Sequence, residues 1–200
     1  MKSRRRLRPA SHVPDFSPVY DRLSNKTKEK LISTHIYLIF GEHFLTYNTL
    51  EVVPHVQLEK YLGKWYEIAH LPAKFQEGCS ETTATYVLAK DGTVSVLNEC
   101  KKEGKVKLAK GKAKVVDKAT GAKLKVTFFW PFYGDYWIIK LGDDYEYAVV
   151  GTPDRKYLWV LNRTPQMDSK LFSEITEFAK SKGFDIGRLI RTSQPNQTPA

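Results

Sequence analysis

At residues 61–68 the chain reads Tyr-Leu-Gly-Lys-Trp-Tyr-Glu-Ile, and the fold prediction starts from this stretch. Gly63 stands just before an alternating segment, where the backbone freedom of glycine permits a sharp turn into a strand. Trp65 comes at the start of that strand and is large enough to plug one end of a small barrel. The same pattern also fits an ordinary core tryptophan in an unrelated β protein, because large aromatic side chains are usually buried. The rest of the chain has to separate these two interpretations.

Length and composition favour a single domain with a packed core. The chain has 200 residues, of which 42% are hydrophobic, and a formal net charge of +10. The positive excess divides into +4 over residues 1–56 and +6 over residues 57–200, so it is spread along the chain. A nucleic-acid site would need basic residues clustered on one face, and we therefore predict no nucleic-acid partner. The same spread of charge suits peripheral contact with an anionic membrane surface.

Residues 1–56 differ in character from the rest of the chain, with scattered prolines, mixed charge and no sustained period. We predict a disordered or loosely attached extension there, a barrel domain over residues 57–191 and a polar tail over residues 192–200. The alternative for the extension is a targeting or membrane-surface arm that uses its arginine cluster. The apolar run 31–40 is followed by no small-residue cleavage site or nearby cysteine, so we expect no clear signal peptide or lipid-attachment cysteine.

From Trp65 onward, polar and apolar residues alternate with a period of two, and turn residues recur about every ten positions. Eight strands in up-and-down order are predicted, and closure into a barrel removes the two edges that such a sheet would otherwise expose. A helix begins after Asp168 and ends at Gly183. The predicted fold is all-β: an eight-stranded antiparallel up-and-down barrel with one C-terminal α-helix and a short ninth strand. The predicted strands are Trp65–Leu71, Thr82–Ala89, Thr93–Cys100, one within Lys107–Asp117, Ala122–Trp130, Tyr136–Leu141, Tyr145–Val150, Tyr157–Arg163 and Phe184–Ile190.

The hairpin around Lys90-Asp91-Gly92 allows two registers. A two-residue loop would mix polar and apolar side chains on each face. A three-residue loop with Gly92 in the left-handed conformation pairs Tyr86 with Val96 and gives a mostly apolar inner face. We predict the second register, in which Tyr86 and Asn98 are the polar groups inside the barrel.

The strand within Lys107–Asp117 alternates lysines with very small residues, and the lysines must face water. Its inner face is then lined by Ala109, Gly111 and Ala113, which leaves room for a ligand. Lys105 and Lys107 break this alternation and predict a bulge near Gly104. The alternative to a hollow barrel is a solid core filled by the inward side chains. These are Tyr86, Leu88, Val96, Asn98, Leu124, Val126, Phe128, Trp159 and Leu161, with Tyr136 and Tyr147 as further candidates.

Several separated motifs, in order and at matching spacing, resemble the lipocalin family, and most strongly its bacterial outer-membrane and apolipoprotein D group. They are the 61–68 stretch, Ala84-Thr85-Tyr86 with Asp91-Gly92, the turn 131–134, and the run 153–165. The resemblance covers roughly residues 57–190. It implies a one-ligand cup in which Trp65 stacks under Arg163, so that Gly63, Trp65 and Arg163 serve the fold. Asp144-Tyr145 matches a further family motif.

The resemblance also implies a function. It predicts a carrier of a fatty acid or lysophospholipid in the cell envelope, in the periplasm or at the outer membrane, acting as a monomer or homodimer. We expect the ligand to contact Tyr86, Asn98, Phe128, Tyr136, Tyr147 and Trp159. Phe75, Phe132 and Tyr133 lie in loops and either rim the mouth and touch a membrane or pack as ordinary loop residues.

The chemistry-bearing residues predict binding without catalysis. No acid, base and nucleophile stand at a recognisable spacing, and we expect no metal or other cofactor. Two alternatives remain: an isomerase or epoxide-processing enzyme on the same scaffold, and a tetrapyrrole carrier with His70 as its ligand. Cys79 and Cys100 form a disulfide if the loop before the second strand folds back, and are otherwise two reduced thiols.

Overall fold

The computed structural model describes residues 49–195. Within them the chain forms nine strands and two α-helices. The helices are α1, Leu58–Tyr61, and α2, Ser169–Ser181, and short 3-10 turns cover Lys74–Gln76 and Ile186–Arg188. The strands are β1 Gly63–His70, β2 Ser80–Leu88, β3 Val94–Lys102, β4 Lys105–Val115, β5 Lys123–Phe129, β6 Phe132–Leu141, β7 Tyr147–Gly151, β8 Leu158–Asn162 and β9 Ile190–Arg191.

The first eight strands form a closed antiparallel barrel. Each strand pairs with the next in sequence, and β1 pairs with both β2 and β8. The ninth strand pairs with the last two residues of β1, Ala69 and His70. This architecture confirms the predicted fold class. Up-and-down order places the β1–β2, β3–β4, β5–β6 and β7–β8 connections at one end, here called the open end. The other connections and α1 lie at the closed end.

The β2–β3 hairpin has the register that the side-chain pattern predicts. Tyr86 lies opposite Val96, Leu88 opposite Val94 and Ala84 opposite Asn98. Gly92 has a φ of 78°, which is the left-handed conformation that the three-residue loop requires. The hairpin therefore presents Tyr86 and Asn98 on one face.

The β4 strand confirms the small-residue wall but not the bulge. Ala109, Gly111 and Ala113 pair with the inward residues of β3, and the pairing continues without a register shift to Lys105. The predicted bulge near Gly104 is therefore wrong. Lys107 shares the inner-face register of Ala109, and its charge is tolerated because both residues are exposed at the open end.

The buried side chains form two cores separated by the barrel wall. The inner core fills the closed half of the barrel, and α1 adds Tyr61 to it. The outer core lies between the barrel and α2, where Ile175 is fully buried against the strands. Burial of one such side chain stabilises the fold by roughly 1.5–3 kcal/mol, which is sufficient to hold an amphipathic helix on the barrel. Asp168 accepts a hydrogen bond from the Leu171 amide and caps α2 as predicted.

The segments that flank the barrel differ from the predicted boundaries. Leu50 and Val56 are 3% and 6% exposed, and the Val53 amide donates to the Ile138 carbonyl. These contacts move the start of the packed domain from residue 57 to Thr49. Residues 1–48 of the predicted extension lie outside the described residues, as do residues 196–200 of the predicted tail.

Three further elements depart from the predicted pattern. Thr192 and Gln194, assigned to the polar tail, are 2% and 4% exposed because they hydrogen-bond to the barrel. The β6 strand begins at Phe132, so the predicted turn over residues 131–134 shrinks to Trp130-Pro131. The ninth strand covers only Ile190–Arg191, since a 3-10 turn over Ile186–Arg188 interrupts the predicted strand. No helix within residues 49–195 is long and apolar enough to cross a membrane.

Candidate functional site

Three tyrosines meet inside the closed half of the barrel. The Tyr136 hydroxyl lies 2.7 Å from that of Tyr61 and 2.9 Å from that of Tyr86, within hydrogen-bond distance of both. Burial raises the pKa of Tyr86 to about 12 and the pKa of Tyr61 and Tyr136 well above the ordinary value. All three hydroxyls are therefore protonated near neutral pH and act as neutral hydrogen-bonding groups.

The barrel floor is formed by Trp65 and Arg163. The Arg163 guanidinium carbon lies 3.8 Å from the centre of the Trp65 ring, and the indole Nε1 donates to the Tyr61 carbonyl. Arg163 also donates to the backbone carbonyls of Lys60, Lys64 and Tyr145. One side chain thus connects α1, β1 and the β6–β7 turn at the closed end.

Asn98 occupies the middle of the inner wall. It lies between Ala84 on β2 and Ala109 on β4, so small side chains flank its amide. Its Oδ1 atom is buried and has no hydrogen-bond partner within residues 49–195, and the same holds for Thr82 Oγ1. A buried acceptor without a partner costs about 1–3 kcal/mol, and a ligand that donates a hydrogen bond would recover that loss.

A series of hydrogen-bonded polar side chains lies in the barrel near the open end. The Gln76 amide nitrogen donates to both carboxylate oxygens of Glu67, at 3.1 and 3.0 Å. The Trp159 indole donates to the Gln76 amide oxygen at 3.0 Å. Thr192 Oγ1 donates to Glu67 at 2.6 Å, so this carboxylate is buried with three hydrogen bonds. These hydrogen bonds hold the β1–β2 loop against β1 and β8.

The disulfide fixes the other end of that loop. Cys79 and Cys100 are bonded, with their Cα atoms 5.5 Å apart, which confirms the predicted pair. The Lys102 ammonium donates to the Glu77 carbonyl at 2.7 Å in the same region. The loop is therefore attached to β3 as well as to β1 and β8.

Phe128 lies nearer the open end, against the backbone of β4. A Cβ atom placed on Gly111 would lie 2.8 Å from the Phe128 ring, so only glycine leaves room for it there. The phenyl group is 42% exposed. It therefore forms a partly open part of the wall.

Five of the six predicted ligand-binding residues come together on the inner wall: Tyr86, Asn98, Phe128, Tyr136 and Trp159. The prediction that Tyr147 also lines the barrel is wrong. Tyr147 lies opposite Asn162 and packs with the outer core, whereas its neighbour Ala148 faces inward opposite Leu161.

His70 was the candidate for tetrapyrrole binding. It is 7% exposed, its Nδ1 donates to the Leu71 carbonyl, and its Nε2 lies 3.9 Å from Glu67. Both ring nitrogens already face protein groups. The described residues contain no cluster of three or more His, Cys, Asp or Glu side chains that would hold a metal.

Two hollows also lie on the outer surface. They enclose about 250 Å³ beside Arg163 and Leu171 and about 340 Å³ beside Pro72 and Arg188. None of the predicted ligand-binding residues lines either hollow. Neither hollow supports the candidate site on the inner wall, which rests on the buried, unpartnered Oδ1 of Asn98.

Comparison with known proteins supports the same assignment. The model of the lipocalin-like domain matches residues 56–194. The chain belongs to the lipocalin family. Temperature-induced lipocalin-1 of Arabidopsis thaliana is 42% identical over 75% of this chain and 86% of its own length. The Escherichia coli outer membrane lipoprotein Blc is 41% identical, over 72% and 82% of the two chains.

Two further proteins complete the comparison. Mouse apolipoprotein D is 36% identical to this lipocalin over 70% of the chain and 77% of the relative. Insecticyanin from Manduca sexta, at 20% identity, superimposes with a TM-score of 0.61 over 74% of this chain and 85% of its own, which shows a shared fold. The predicted resemblance to the bacterial and apolipoprotein D group is confirmed. Lipocalins bind small hydrophobic ligands and generally act as carriers.

Sequence reasoning missed part of the site in this lipocalin. Glu67 lies two residues after Trp65 on β1 and therefore shares its face, so strict alternation places the Glu67 carboxylate inside the barrel, and this signal was available. Gln76 and Thr192 carried no such signal, because each lies beyond the end of a barrel strand and reaches Glu67 only after the chain folds back.

Proposed function

We propose that this lipocalin binds a long-chain lipid, a fatty acid or a lysophospholipid, inside its barrel and carries it in the cell envelope without altering it chemically. The observation that carries the proposal is the buried, unpartnered Oδ1 of Asn98 on an otherwise largely apolar inner wall. Such a wall suits an acyl chain, and an isolated amide suits its polar end.

The energetics support a lipid. Each methylene group removed from water contributes about 0.8 kcal/mol, so a chain of ~16 carbons offsets the cost of association even if only part of it is buried. The Asn98 amide offers an acceptor to a hydroxyl group and a donor to a carboxylate. A lysophospholipid hydroxyl would satisfy the unpartnered Oδ1, whereas an ionised fatty acid would accept a hydrogen bond only from the amide nitrogen.

Two observations support a location in the cell envelope. The Escherichia coli relative is named an outer membrane lipoprotein. The Cys79–Cys100 disulfide suits an oxidising compartment such as the periplasm. Transport without catalysis is supported by the interior tyrosines, since the raised pKa of Tyr86, about 12, makes this hydroxyl a poor general base at neutral pH.

The direct test is native mass spectrometry of the delipidated protein after incubation with extracted envelope lipids, combined with displacement of a fluorescent fatty acid. We expect one lipid per barrel and competition by fatty acid or lysophospholipid. Failure to retain any lipid, together with failure to displace the probe, refutes the proposal.

Amino-acid substitutions test where the ligand binds. Trp159→Ala removes an inner-wall indole and should weaken lipid binding about tenfold or more. Trp137→Ala is the matched control, because Trp137 packs with the outer core. Asn98→Leu should weaken binding while raising stability by about 1 kcal/mol, since it removes an unpartnered buried acceptor. Equal losses of affinity for Trp159→Ala and Trp137→Ala would place the lipid elsewhere.

A further inference from the structure

The larger of the two outer hollows is lined mainly by basic side chains. It encloses about 340 Å³ between the β7–β8 turn, the start of the β1–β2 loop and the 3-10 turn that follows α2. Arg155, Lys156 and Arg188 line it, and Asp185 is the one acidic residue in the lining. Three cations and one carboxylate give the lining a formal charge of +2. A concave surface of one sign of charge attracts ions of the other sign.

Arg155 has a fixed position at the wall of this hollow. Its backbone φ is 57°, in the left-handed region that side chains other than glycine rarely adopt. Its Nε donates to the Lys182 carbonyl at 3.2 Å, and its Nη1 donates to the Pro153 carbonyl at 2.6 Å. The first of these bonds also closes the end of α2, so the residue supports the fold as well. Because the guanidinium is already held in place, little conformational entropy is lost when an anion binds to it.

Arg188 and Lys156 carry charges that the fold does not use. Within residues 49–195 the exposed guanidinium of Arg188 has neither an ion pair nor a hydrogen bond. In the same part of the chain Lys156 has one ion pair, with Asp154 at 3.4 Å, and both side chains are largely exposed. A surface pair of this kind contributes roughly 0–1 kcal/mol. Both cations can therefore turn toward an incoming anion at little cost.

An apolar surface adjoins the charges. Leu71, Pro72 and Tyr157 line the same hollow. The Tyr157 ring stacks on Trp159 with the two ring centres 5.8 Å apart, so its position is fixed from the side of the barrel. The hollow thus offers cationic donors on one side and a carbon surface on the other, which suits an organic anion.

We propose that this hollow is a second binding site, for a small soluble organic phosphate. The phosphate group contacts Arg155, Lys156 and Arg188, and the organic group lies against Pro72 and Tyr157. These five residues are called the outer phosphate site. The site lies outside the barrel, so its ligand is distinct from the lipid of the proposed function.

The charge and shape of the hollow favour this class of ligand. A phosphate monoester carries a charge of about −1.5 to −2 near neutral pH and has three strong acceptor oxygens. It therefore matches three cationic side chains and a lining charge of +2 better than a carboxylate does. A phosphate held in the plane of a bilayer or along a polymer would reach only the rim of a concave site, whereas a small molecule can enter it.

The binding test is a titration of the isotope-labelled full-length protein with phenyl phosphate, followed through backbone amide shifts by NMR. Inorganic phosphate lacks the organic group, and phenol lacks the phosphate. We expect shifts in residues 71–72, 155–157 and 185–188, with at least about fivefold tighter binding of phenyl phosphate than of inorganic phosphate, because the ring is removed from water. Absence of shifts in these segments, or an equal response to phenol, overturns the proposal.

Paired variants test the charges. Lys156→Gln with Arg188→Gln should weaken phenyl phosphate binding about tenfold or more, because two charged donors to the phosphate are lost. Arg155 is left unchanged because it also supports α2. Lys118→Gln with Lys170→Gln removes the same charge from two exposed lysines outside the hollow and should change the affinity less than about twofold. Equal losses for the two pairs would mean that net charge attracts the phosphate, and would refute the site.

The single carboxylate of the lining gives a test with the opposite sign. Asp185→Asn should tighten phenyl phosphate binding about twofold to fivefold, because a negative charge beside the phosphate is removed. The Asp185 side chain forms no capping hydrogen bond to the 3-10 turn, so the substitution spares the fold. Glu177→Gln, at an exposed position on α2 outside the hollow, is the matched control. If the two variants bind equally well, the phosphate does not lie beside Asp185.

Two further measurements separate this site from lipids. Vesicles that contain phosphatidic acid present the same kind of phosphate on a bilayer and should not displace phenyl phosphate; displacement would refute a soluble ligand. Asn98→Leu, which is expected to weaken lipid binding, should bind phenyl phosphate as the unmodified protein does. The Lys156 and Arg188 pair should in turn still bind the fluorescent fatty acid. Loss of phosphate binding in Asn98→Leu would refute an independent outer site, whereas failure of lipid binding alone refutes only the proposed function.

Discussion

At the scale of single residues, Arg163 connects three elements at the closed end of the barrel. Its guanidinium stacks on Trp65 and donates to the carbonyls of Lys60, Lys64 and Tyr145. Partial burial lowers the pKa of Arg163, but a guanidinium remains charged at any ordinary pH. The residue is a support for the floor and lies away from the amide of Asn98.

Arg163→Ala should lower the free energy of unfolding by about 2–4 kcal/mol, because it removes a cation–π contact and leaves three carbonyls without their donor. Urea unfolding measures this change. Arg163→Lys keeps the charge but not the planar fork and should recover only part of the loss. Lipid affinity of the folded protein should remain unchanged, and a large drop in affinity would mean that Arg163 contributes to the site.

The tyrosine cluster predicts an alkaline limit to stability. In the unfolded chain tyrosine titrates near pH ~10, whereas burial raises the pKa of Tyr86 to about 12 in the barrel. The folded state holds its protons more tightly, so this stability is complete below pH ~10 and is lost as pH rises through about 12.

Tyr86→Phe should flatten the fall in melting temperature across that range, because it removes one of the groups whose pKa burial raises. Thermal melts between pH ~9 and ~12 measure the effect. Tyr133→Phe, which removes an exposed hydroxyl, is the control and should follow the unmodified protein. Parallel curves for all three proteins would show that the interior tyrosines do not set the limit.

At the scale of elements, the β1–β2 loop is the part of the barrel held by the most varied contacts. The 3-10 turn positions Gln76 between Glu67 and Trp159, and the disulfide attaches the loop to β3. None of these contacts belongs to a barrel strand pairing. Side chains and one covalent bond therefore attach the loop to the barrel.

Replacing Cys79 and Cys100 by serine should lower the free energy of unfolding by about 3 kcal/mol, as expected for a crosslink that closes a loop of this length. The bonded residues are 21 positions apart. Unfolding with and without a reducing agent measures the effect. The reduced unmodified protein should match the double variant, and the variant should not respond to reductant. If reductant leaves the stability of the unmodified protein unchanged while the double variant is less stable, the loss comes from the serine side chains and not from the missing disulfide.

At the scale of the whole molecule, the barrel is closed by more than its eight strands. β1 pairs with β2 only from Gly63 to Tyr66, and beyond that point the C-terminal segment takes over. Gln194 donates to the carbonyls of Glu67 on β1 and Thr82 on β2, and the Thr192 amide donates to Ile68. The segment after β9 thus joins the two strands where their direct pairing ends.

Truncation after Arg191 should destabilise the protein by about 3 kcal/mol or more, because it exposes the carboxylate of Glu67 and unpairs several backbone groups. Truncation after Pro195 retains every described contact and is the matched control. Differential scanning calorimetry of both proteins measures the difference. Equal melting temperatures for the two truncations would contradict a role of this segment in closure.

The parts of the site that could be predicted are those that follow a strand's own period. Tyr86 and Asn98 face inward because side chains alternate along β2 and β3 and because Gly92 sets the register. The prediction for Tyr147 failed because it assumed that side chains keep alternating between the two faces of the sheet. The pairing between β6 and β7 is irregular, with a register shift between Ile138 and Lys140, and this alternation does not continue into β7. The same applies to β1, where a shift after Glu67 turns both Ile68 and Ala69 toward the outer core.

The barrel, its floor and one wall of its interior follow from the sequence alone, because period, turn residues and a helix cap are local properties of the chain. The stretch at residues 61–68 already contained the entry to β1 and the tryptophan of the floor. The hydrogen bonds that join Glu67, Gln76, Trp159 and Thr192 depend on the tertiary structure, since Trp159 and Thr192 lie far along the chain from the other two. The direction in which a loop returns to the barrel depends on packing and hydrogen bonds between distant residues, and no local pattern encodes it.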